Sequence, residues 1–187
     1  MTDDYKTHWR KIYTNLLHQT GRQGVPQLLD YLEKNGFYDS PASIKYHCNY
    51  PGGLCQHSYN VYENLIELNE MAMLRLENST IILATLLHDL CKMGAYVQND
   101  KGYHWNQNQP KGHGTLSVER IQQFIKLYDI EVAMIKYHMG PWNTVQAAGT
   151  DKGDYPLLDM VEAWKKWPAV KFVYFADELA TSTEGKM

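Results

Sequence analysis

The sequence is poor in cysteine: Cys48, Cys55 and Cys91 are the three in 187 residues, and no two of them are spaced C-x-x-C. An odd number without that spacing argues against a disulfide framework and a thiolate zinc site, and it fits a reducing compartment. The chain also lacks a run of the roughly 18 to 20 apolar residues that a membrane-spanning helix needs. Its first residues contain no apolar targeting stretch, so we expect a cytoplasmic protein without a membrane partner.

A large excess of one charge is lacking as well, since 18 lysines and arginines oppose 21 aspartates and glutamates. Proteins that capture long nucleic acid by bulk electrostatics are usually basic. We therefore expect no long nucleic-acid partner, although a local cluster could still bind an anion. The sequence leaves the oligomeric state open.

Helical periodicity dominates the sequence and predicts an all-α fold. Helical patterns cover residues 3–19, 26–36, 56–75, 80–92, 113–127, 130–138 and 168–182, with Ser79 or Thr80 as the predicted cap of the fourth helix. Residues 37–54 and 139–156 contain prolines and glycines and are predicted loops. Between Gly94 and Gly112 the chain turns polar and aromatic, which predicts a short β-hairpin near residues 95–106 and a loop.

Six histidines and aspartates are predicted to lie on apolar faces of these helices: His57, His88, Asp89, His113, His138 and Asp177. The adjacent pair His88-Asp89 is the most informative, because it lies inside an apolar run over residues 81–90. Burying a carboxylate costs several kcal/mol unless a partner or a metal compensates it. A buried histidine beside a buried aspartate is therefore typical of a pair of metal ligands.

The helical register tests whether such residues face inward. Asp177 shares its row with Val173 and Ala180, whereas its neighbour Glu178 lies on the more polar face. A single buried histidine is more often a hydrogen-bonded core residue than a ligand. A purely structural polar network is thus the alternative, but six titratable groups on apolar rows favour a metal site.

The order of these residues resembles the HD superfamily of metal-dependent phosphohydrolases. Its signature, H…HD…D, is met by His57, His88-Asp89 and Asp177, and His113 and His138 fill the places of two further histidines in binuclear members. The segment 47–58, with its Gly-Gly-Leu-x-x-His-Ser string, is similar to YhaM-type 3'-to-5' exoribonucleases. The OB-fold domain of those enzymes has no counterpart in the predicted N-terminal helices. Many members read His-Asp-x-Gly-Lys, whereas this chain has Cys91 in the glycine position, which leaves the turn after the pair open.

The resemblance implies a compact helical bundle that forms a single HD phosphohydrolase domain over residues 1–187. Its N-terminal helices would lie in residues 1–36 and its metal-binding core in about residues 40–180. Imidazole and carboxylate ligands suit one or two divalent transition-metal ions, whether Fe, Mn, Zn, Co or Ni. With two ions, Asp89 is the natural bridging ligand. With one ion, His113 and His138 would contact the substrate phosphate instead.

Three further residues are predicted to help the site. Lys92 follows Asp89 by three positions, and its ammonium is predicted to bind a phosphate oxygen in the transition state. The alternative is a cation that favours the C-terminal end of a helix. His47 and His104, in the two flanking loops, are predicted to contact substrate or to support the ligands.

The predicted function is hydrolysis of a phosphoester bond in a nucleotide or a related small phosphorylated substrate, with metal-activated water. Asp89 and Lys92 are the predicted catalytic residues. Aromatic side chains of the loops are predicted either to stack on a base or to brace their own loops: Tyr96, Tyr103, Trp105 and Trp142. The alternatives are a 3'-5' nuclease acting on short single strands and a non-catalytic HD protein that binds metal or nucleotide. The sequence does not distinguish a monoester from a diester substrate.

Overall fold

The computed structural model describes residues 2–110, 112–149 and 152–184. The helices of this part are α1 (Thr2–Gln19), α2 (Val25–Lys34), α3 (Gly53–Met71), α4 (Asn78–Leu86), α5 (Gly114–Gln122), α6 (Asp129–Lys136), α7 (Val145–Ala148), α8 (Leu157–Lys166) and α9 (Ala169–Thr183). Three 3₁₀ turns lie at Phe37–Asp39, Leu90–Lys92 and Gly140–Asn143. Strands β1 (Tyr96–Asn99) and β2 (Gly102–Trp105) pair antiparallel. The predicted all-α fold with a short hairpin is confirmed.

The centre of the fold is the antiparallel pair α3 and α9. His57 near the start of α3 contacts Glu184 just after the end of α9, and Asn64 Nδ2 donates to the Ala176 carbonyl at 3.0 Å. Helix α4 packs against α3, and α1 and α6 also contact it. This enclosure explains why the α4 sequence is apolar on every side. In the described part of the chain, no helix combines the length and apolarity needed to cross a membrane.

The predicted boundaries of the α4 helix are wrong at both ends. It begins at Asn78 with Glu77 in the capping position, and it ends at Leu86, well before Lys92. Nδ1 of the His88 ring donates a hydrogen bond to the Thr85 carbonyl oxygen at 2.7 Å. In a continuing α-helix that carbonyl would accept the N–H of Asp89. The chain therefore tightens into a turn, and the His88-Asp89 pair follows the helix instead of lying within it.

Other predicted boundaries also need correction. Helix α3 begins at Gly53 and ends at Met71, where 56–75 was predicted. The predicted loop 139–156 contains a 3₁₀ turn and the short helix α7. Helix α8 was not predicted at all. It buries Met160 and Ala163, and its sequence is amphipathic, so helical periodicity was a signal that the prediction missed.

Candidate metal centre

The structure brings the six predicted ligands together from five parts of the fold. They lie on α3 (His57), on the turn after α4 (His88 and Asp89), at the start of α5 (His113), just after α6 (His138) and on α9 (Asp177). The imidazole rings form a row in the order 57, 88, 138 and 113, with centroids 5.4, 4.7 and 5.0 Å apart. Asp177 faces inward as predicted, while Glu178 is exposed.

Gly114 allows the end of this row that contains His138 and His113, its outer end, to form. A Cβ atom on Gly114 would lie 2.2 Å from the carbonyl oxygen of Lys136, so any other residue there would push α5 and α6 apart. His113 directly precedes this contact, and His138 follows α6 by two residues. The close approach of the two helices therefore places the two histidines side by side.

Two histidines are oriented by backbone carbonyls. Nδ1 of His88 lies 2.7 Å from the Thr85 oxygen, and Nδ1 of His138 lies 2.7 Å from the Ile135 oxygen. A carbonyl oxygen can only accept, so Nδ1 carries the hydrogen in both rings. In the neutral ring the free lone pair is then on Nε2, which is the arrangement of a metal-binding histidine.

The other two histidines have side-chain partners at Nδ1. His57 Nδ1 lies 3.0 Å from Glu184 Oε2, and His113 Nδ1 lies 3.3 Å from Cys91 Sγ. All four rings therefore have a protein partner at Nδ1 and present Nε2 to the same space. Sequence reasoning missed both partners. The spacing of seven residues from Asp177 to Glu184, two helical turns, was an available clue to the second carboxylate.

Asp89 divides the row of histidines between its two oxygens. Oδ1 lies 2.9 Å from His113 Nε2 and 3.5 Å from His138 Nε2. Oδ2 lies 3.4 Å from His88 Nε2 and 3.7 Å from His57 Nε2. The side chain is 2% exposed, so this carboxylate is shielded from water. One oxygen toward each half of the site is the arrangement that a bridging ligand needs.

Several polar atoms at this point lack a hydrogen-bond partner among the described residues: Nε2 of His88, His113 and His138, and Oδ1 of Asp89. His113 Nε2 and Asp89 Oδ1 do lie 2.9 Å apart, which is an ion-pair contact when the imidazole is protonated. Each unsatisfied buried group costs about 1–3 kcal/mol. Divalent cations would satisfy these nitrogen and oxygen atoms together. The residues present therefore fit a site for such ions.

The ligand atoms fall into overlapping groups whose members lie within 4.8 Å of one another. One group is His57, His88 and Asp177, and another is His88, Asp89 and His138. A third group joins Asp89, Cys91 and His113. The overlap at His88 and Asp89 is consistent with either one ion or two.

The charges of the cluster support one another. Burial alone would raise the pKa of the Asp89 carboxyl, but Lys92 and then His88 hold it well below its ordinary value. Burial alone would lower the pKa of His57, but hydrogen bonds with Asp177 and Glu184 raise it to about 9. In the metal-free protein a protonated His57 therefore pairs with the carboxylates. Binding of a metal ion would have to release that proton.

Lys92 belongs to the cluster itself. Its Nζ lies 2.6 Å from Asp89 Oδ2, and its side chain is 13% exposed. Burial alone would lower the pKa of this ammonium, but Asp89 raises it above the ordinary value. Lys92 lies in the 3₁₀ turn beyond α4, so the geometry does not support the alternative of a cation at the end of that helix.

The two additional histidines differ in position. The His47 ring packs on the His57 ring with centroids 4.6 Å apart, and neither of its nitrogens has a hydrogen-bond partner in residues 2–110, 112–149 and 152–184. Burial, with the nearby His57 and Lys92, lowers the pKa of His47 to about 4. His104 is exposed on β2 and belongs to none of the ligand groups found among the described residues. Its predicted role therefore has no geometric support.

The turn after the His88-Asp89 pair accommodates Cys91 without strain. Cys91 lies inside the 3₁₀ turn Leu90–Lys92, a conformation that any residue adopts, so glycine is not required. Arg120 on α5 clamps this turn by donating to the carbonyls of Leu90, Cys91 and Met93 at 2.8, 3.1 and 3.0 Å. The departure from the usual His-Asp-x-Gly-Lys pattern leaves the position of Lys92 intact.

A pocket of about 480 Å³ adjoins the outer half of the cluster. His113 and Lys92 lie on its inner wall, and Tyr96 and Trp105 of the hairpin lie on its outer wall. Lys152 also lines it. Of the four aromatic residues predicted to stack on a base, Tyr96 and Trp105 line this pocket, whereas Tyr103 and Trp142 do not.

The chain belongs to the HD domain family, whose family model matches residues 54–182. HD domains are generally metal-dependent hydrolases that bind divalent metals, so the family and the geometry of the cluster agree. Comparison with curated proteins and with solved structures finds no match. The closer similarity to YhaM-type exoribonucleases stays a prediction.

Proposed function

We propose that this protein hydrolyses a phosphoester bond of a nucleotide or a related small phosphorylated substrate at a metal centre built around Asp89. The convergence of four histidine Nε2 atoms on the two oxygens of this carboxylate supports the proposal most strongly. A structural network would satisfy its own buried polar atoms. Here several are unsatisfied within the described residues, and they face one another.

Charge favours a phosphate at this centre. Two divalent ions with Asp89 and Asp177 ionised and the histidines neutral leave a local charge of about +2. Glu184 and Lys92 carry opposite charges that offset each other. When bound, such ions lower the pKa of a water molecule and stabilise the attacking and leaving oxygens.

The protein's own groups would position the reaction. The two oxygens of Asp89 face opposite halves of the site. This residue would therefore hold the two halves at a fixed separation. The Lys92 ammonium lies beside Asp89 Oδ2 and lines the pocket, where it would donate to a non-bridging phosphate oxygen. The unpartnered nitrogens of His47 would offer a further substrate contact on the His57 side.

The adjoining pocket supports a nucleotide as substrate. Trp105 is 45% exposed and meets Tyr96 edge to face with centroids 5.9 Å apart. An exposed aromatic surface beside a phosphate site suits a planar base. A volume of about 480 Å³ is in the range of small-ligand pockets. Lys152 on the pocket wall would attract a second anionic group.

The experiment compares p-nitrophenyl phosphate, bis(p-nitrophenyl) phosphate, nucleotides and short RNA as substrates with added Mn²⁺. Trp105→Ala should raise KM for the nucleotide several-fold and leave the p-nitrophenyl esters less affected. Trp142→Ala is the matched control, because Trp142 is exposed and lies outside the pocket. Hydrolysis of short RNA alone would favour the nuclease alternative. Metal binding without any hydrolysis would favour a non-catalytic protein.

A further inference from the structure

Glu184 is a buried acid that no sequence motif singled out. It directly follows α9, and its side chain is 4% exposed. Its Oε1 and Oε2 lie 3.2 and 3.0 Å from His57 Nδ1. A buried carboxylate needs a compensating partner, and here that partner is one of the predicted metal ligands.

A second residue of α3 holds the Glu184 carboxylate in place. Asn60 lies three positions after His57, and its Nδ2 donates to Glu184 Oε1 at 2.7 Å. Because the amide and the imidazole are attached to the same helix, they fix the carboxylate from two directions. The imidazole ring in turn cannot rotate without breaking its contact with Glu184.

The His57 ring is bound by carboxylates on both edges, and both come from the same part of the chain. Asp177 Oδ1 lies 3.0 Å from Nε2, and Glu184 lies on the Nδ1 side. His88 and His138 instead donate Nδ1 to neutral carbonyls. A carboxylate partner at Nδ1 fixes the tautomer and makes Nε2 a more basic ligand.

A separate ion at Glu184 is the competing explanation, since His47, His57 and Glu184 offer ligand atoms within 4.8 Å of one another. Both oxygens of Glu184 are already engaged, one by Asn60 and His57 and the other by His57. A carboxylate that accepts from Nδ1 leaves no lone pair on that nitrogen for a second ion. The contacts therefore favour a hydrogen-bonded pair.

We infer that Glu184 is a positioning residue that orients His57 and strengthens its Nε2 as a metal ligand. The inference rests on the metal centre of the proposed function. It assigns the residue just after α9 to the machinery of the site, although it lies outside the family match at residues 54–182. Glu184 does not itself touch the substrate.

The test measures Mn²⁺ affinity of the full chain by titration calorimetry, with activity measured separately. Glu184→Ala should weaken metal binding about 10- to 100-fold, the usual effect of removing such a partner. Glu184→Gln should weaken it less, because the amide oxygen still accepts from Nδ1. Glu178→Gln removes the same charge from α9 at an exposed position, and it should leave the affinity within about two-fold because an exposed charge interacts weakly.

A second readout does not depend on metal. In the metal-free protein, the NMR resonance of the His57 Nδ1 proton should move upfield in Glu184→Ala and stay in place in Glu178→Gln. Unchanged metal affinity and an unchanged resonance in Glu184→Ala, with metal bound by the wild type, would overturn this inference alone. Absence of metal binding by the wild type would overturn it together with the proposed function.

Discussion

Two helix ends in this molecule are built alike. Helix α4 ends at Leu86 and α6 ends at Lys136, and in each case a histidine follows two residues later. Each of these rings, His88 and His138, donates Nδ1 to the carbonyl three residues back at 2.7 Å. That carbonyl is the one the next N–H would use in a continuing helix. The same side-chain contact therefore ends the helix and aims Nε2 at the centre.

The two turns differ in what accompanies the histidine. Asp89 follows His88, and Lys92 lies at the end of the same turn, with its Nζ 2.6 Å from Asp89 Oδ2. Met139 follows His138, and the position equivalent to Lys92 is the exposed Trp142. Each turn thus orients a histidine that is a predicted ligand, whereas the charged side chains Asp89 and Lys92 lie only at the first turn.

The largest effect is expected from the residue that distinguishes the first turn. Asp89→Asn keeps the shape of the side chain but removes the charge that faces both halves of the site. We expect metal affinity and turnover to fall by more than the roughly 100-fold limit for an outer partner. Elemental analysis and steady-state kinetics of the variant measure these two losses. Asp159→Asn, at an exposed position on α8, is the control, and near-normal metal binding by Asp89→Asn would contradict the account.

The two histidines should not be equivalent. His88 belongs to two of the possible ligand groups, with His57 and Asp177 and with Asp89 and His138, whereas His138 belongs to one of them. We therefore expect His88→Gln to lose more bound metal than His138→Gln, since the latter leaves the His57 side intact. Titration calorimetry with Mn²⁺ compares the two variants. Equal losses would show that the turns contribute alike.

A smaller effect on metal is expected at Lys92. Lys92→Met should lower turnover about 100-fold, the order of effect of removing one donor to a developing charge. The metal content should remain, because the ammonium is not a ligand. Lys101→Met, on the exposed hairpin turn, is the matched control. Release of metal by Lys92→Met would contradict the proposed contact with phosphate.

The smallest effect on the site is expected from the backbone of the second turn. Gly140 has φ +57°, and a Cβ there would lie 2.7 Å from the Tyr174 ring. Gly140→Ala should lower the free energy of unfolding by about 1–3 kcal/mol. Gly36→Ala has a similar φ of +72° with no atom within 4 Å of the added Cβ, so it should cost less in denaturant titrations. An equal loss of unfolding free energy in the two variants would show that the Tyr174 contact does not matter.

The sequence predicted the features that follow from periodicity. Asp177 and Glu178 were assigned to opposite faces of α9 because a helix repeats every 3.6 residues. The end of α4 could not be predicted in this way, because it depends on the His88 ring taking the carbonyl of Thr85. Glu184 lies two helical turns after Asp177, but the predicted helix stopped at residue 182 and so did not include it.

Loop residues show the same limit. His47 and His104 were predicted alike from their positions beside the site. The structure places His47 on the His57 ring but leaves His104 on the exposed side of the hairpin. Which face of a two-stranded hairpin meets the protein depends on its twist and packing, which a local sequence pattern does not contain. Trp105 lies on the pocket wall, whereas Tyr103, two residues earlier on the same face of β2, does not.

The central claim, a metal centre at Asp89, is tested most directly by elemental analysis of the purified protein beside the His88→Ala/Asp89→Ala double variant. The account predicts about two divalent transition-metal ions per chain, the number that a bridging carboxylate suits, and their loss from the variant. About one ion would assign His113 and His138 to the substrate. No metal in the wild-type protein, and none taken up on titration with Mn²⁺, Fe²⁺, Co²⁺, Ni²⁺ or Zn²⁺, would contradict the claim.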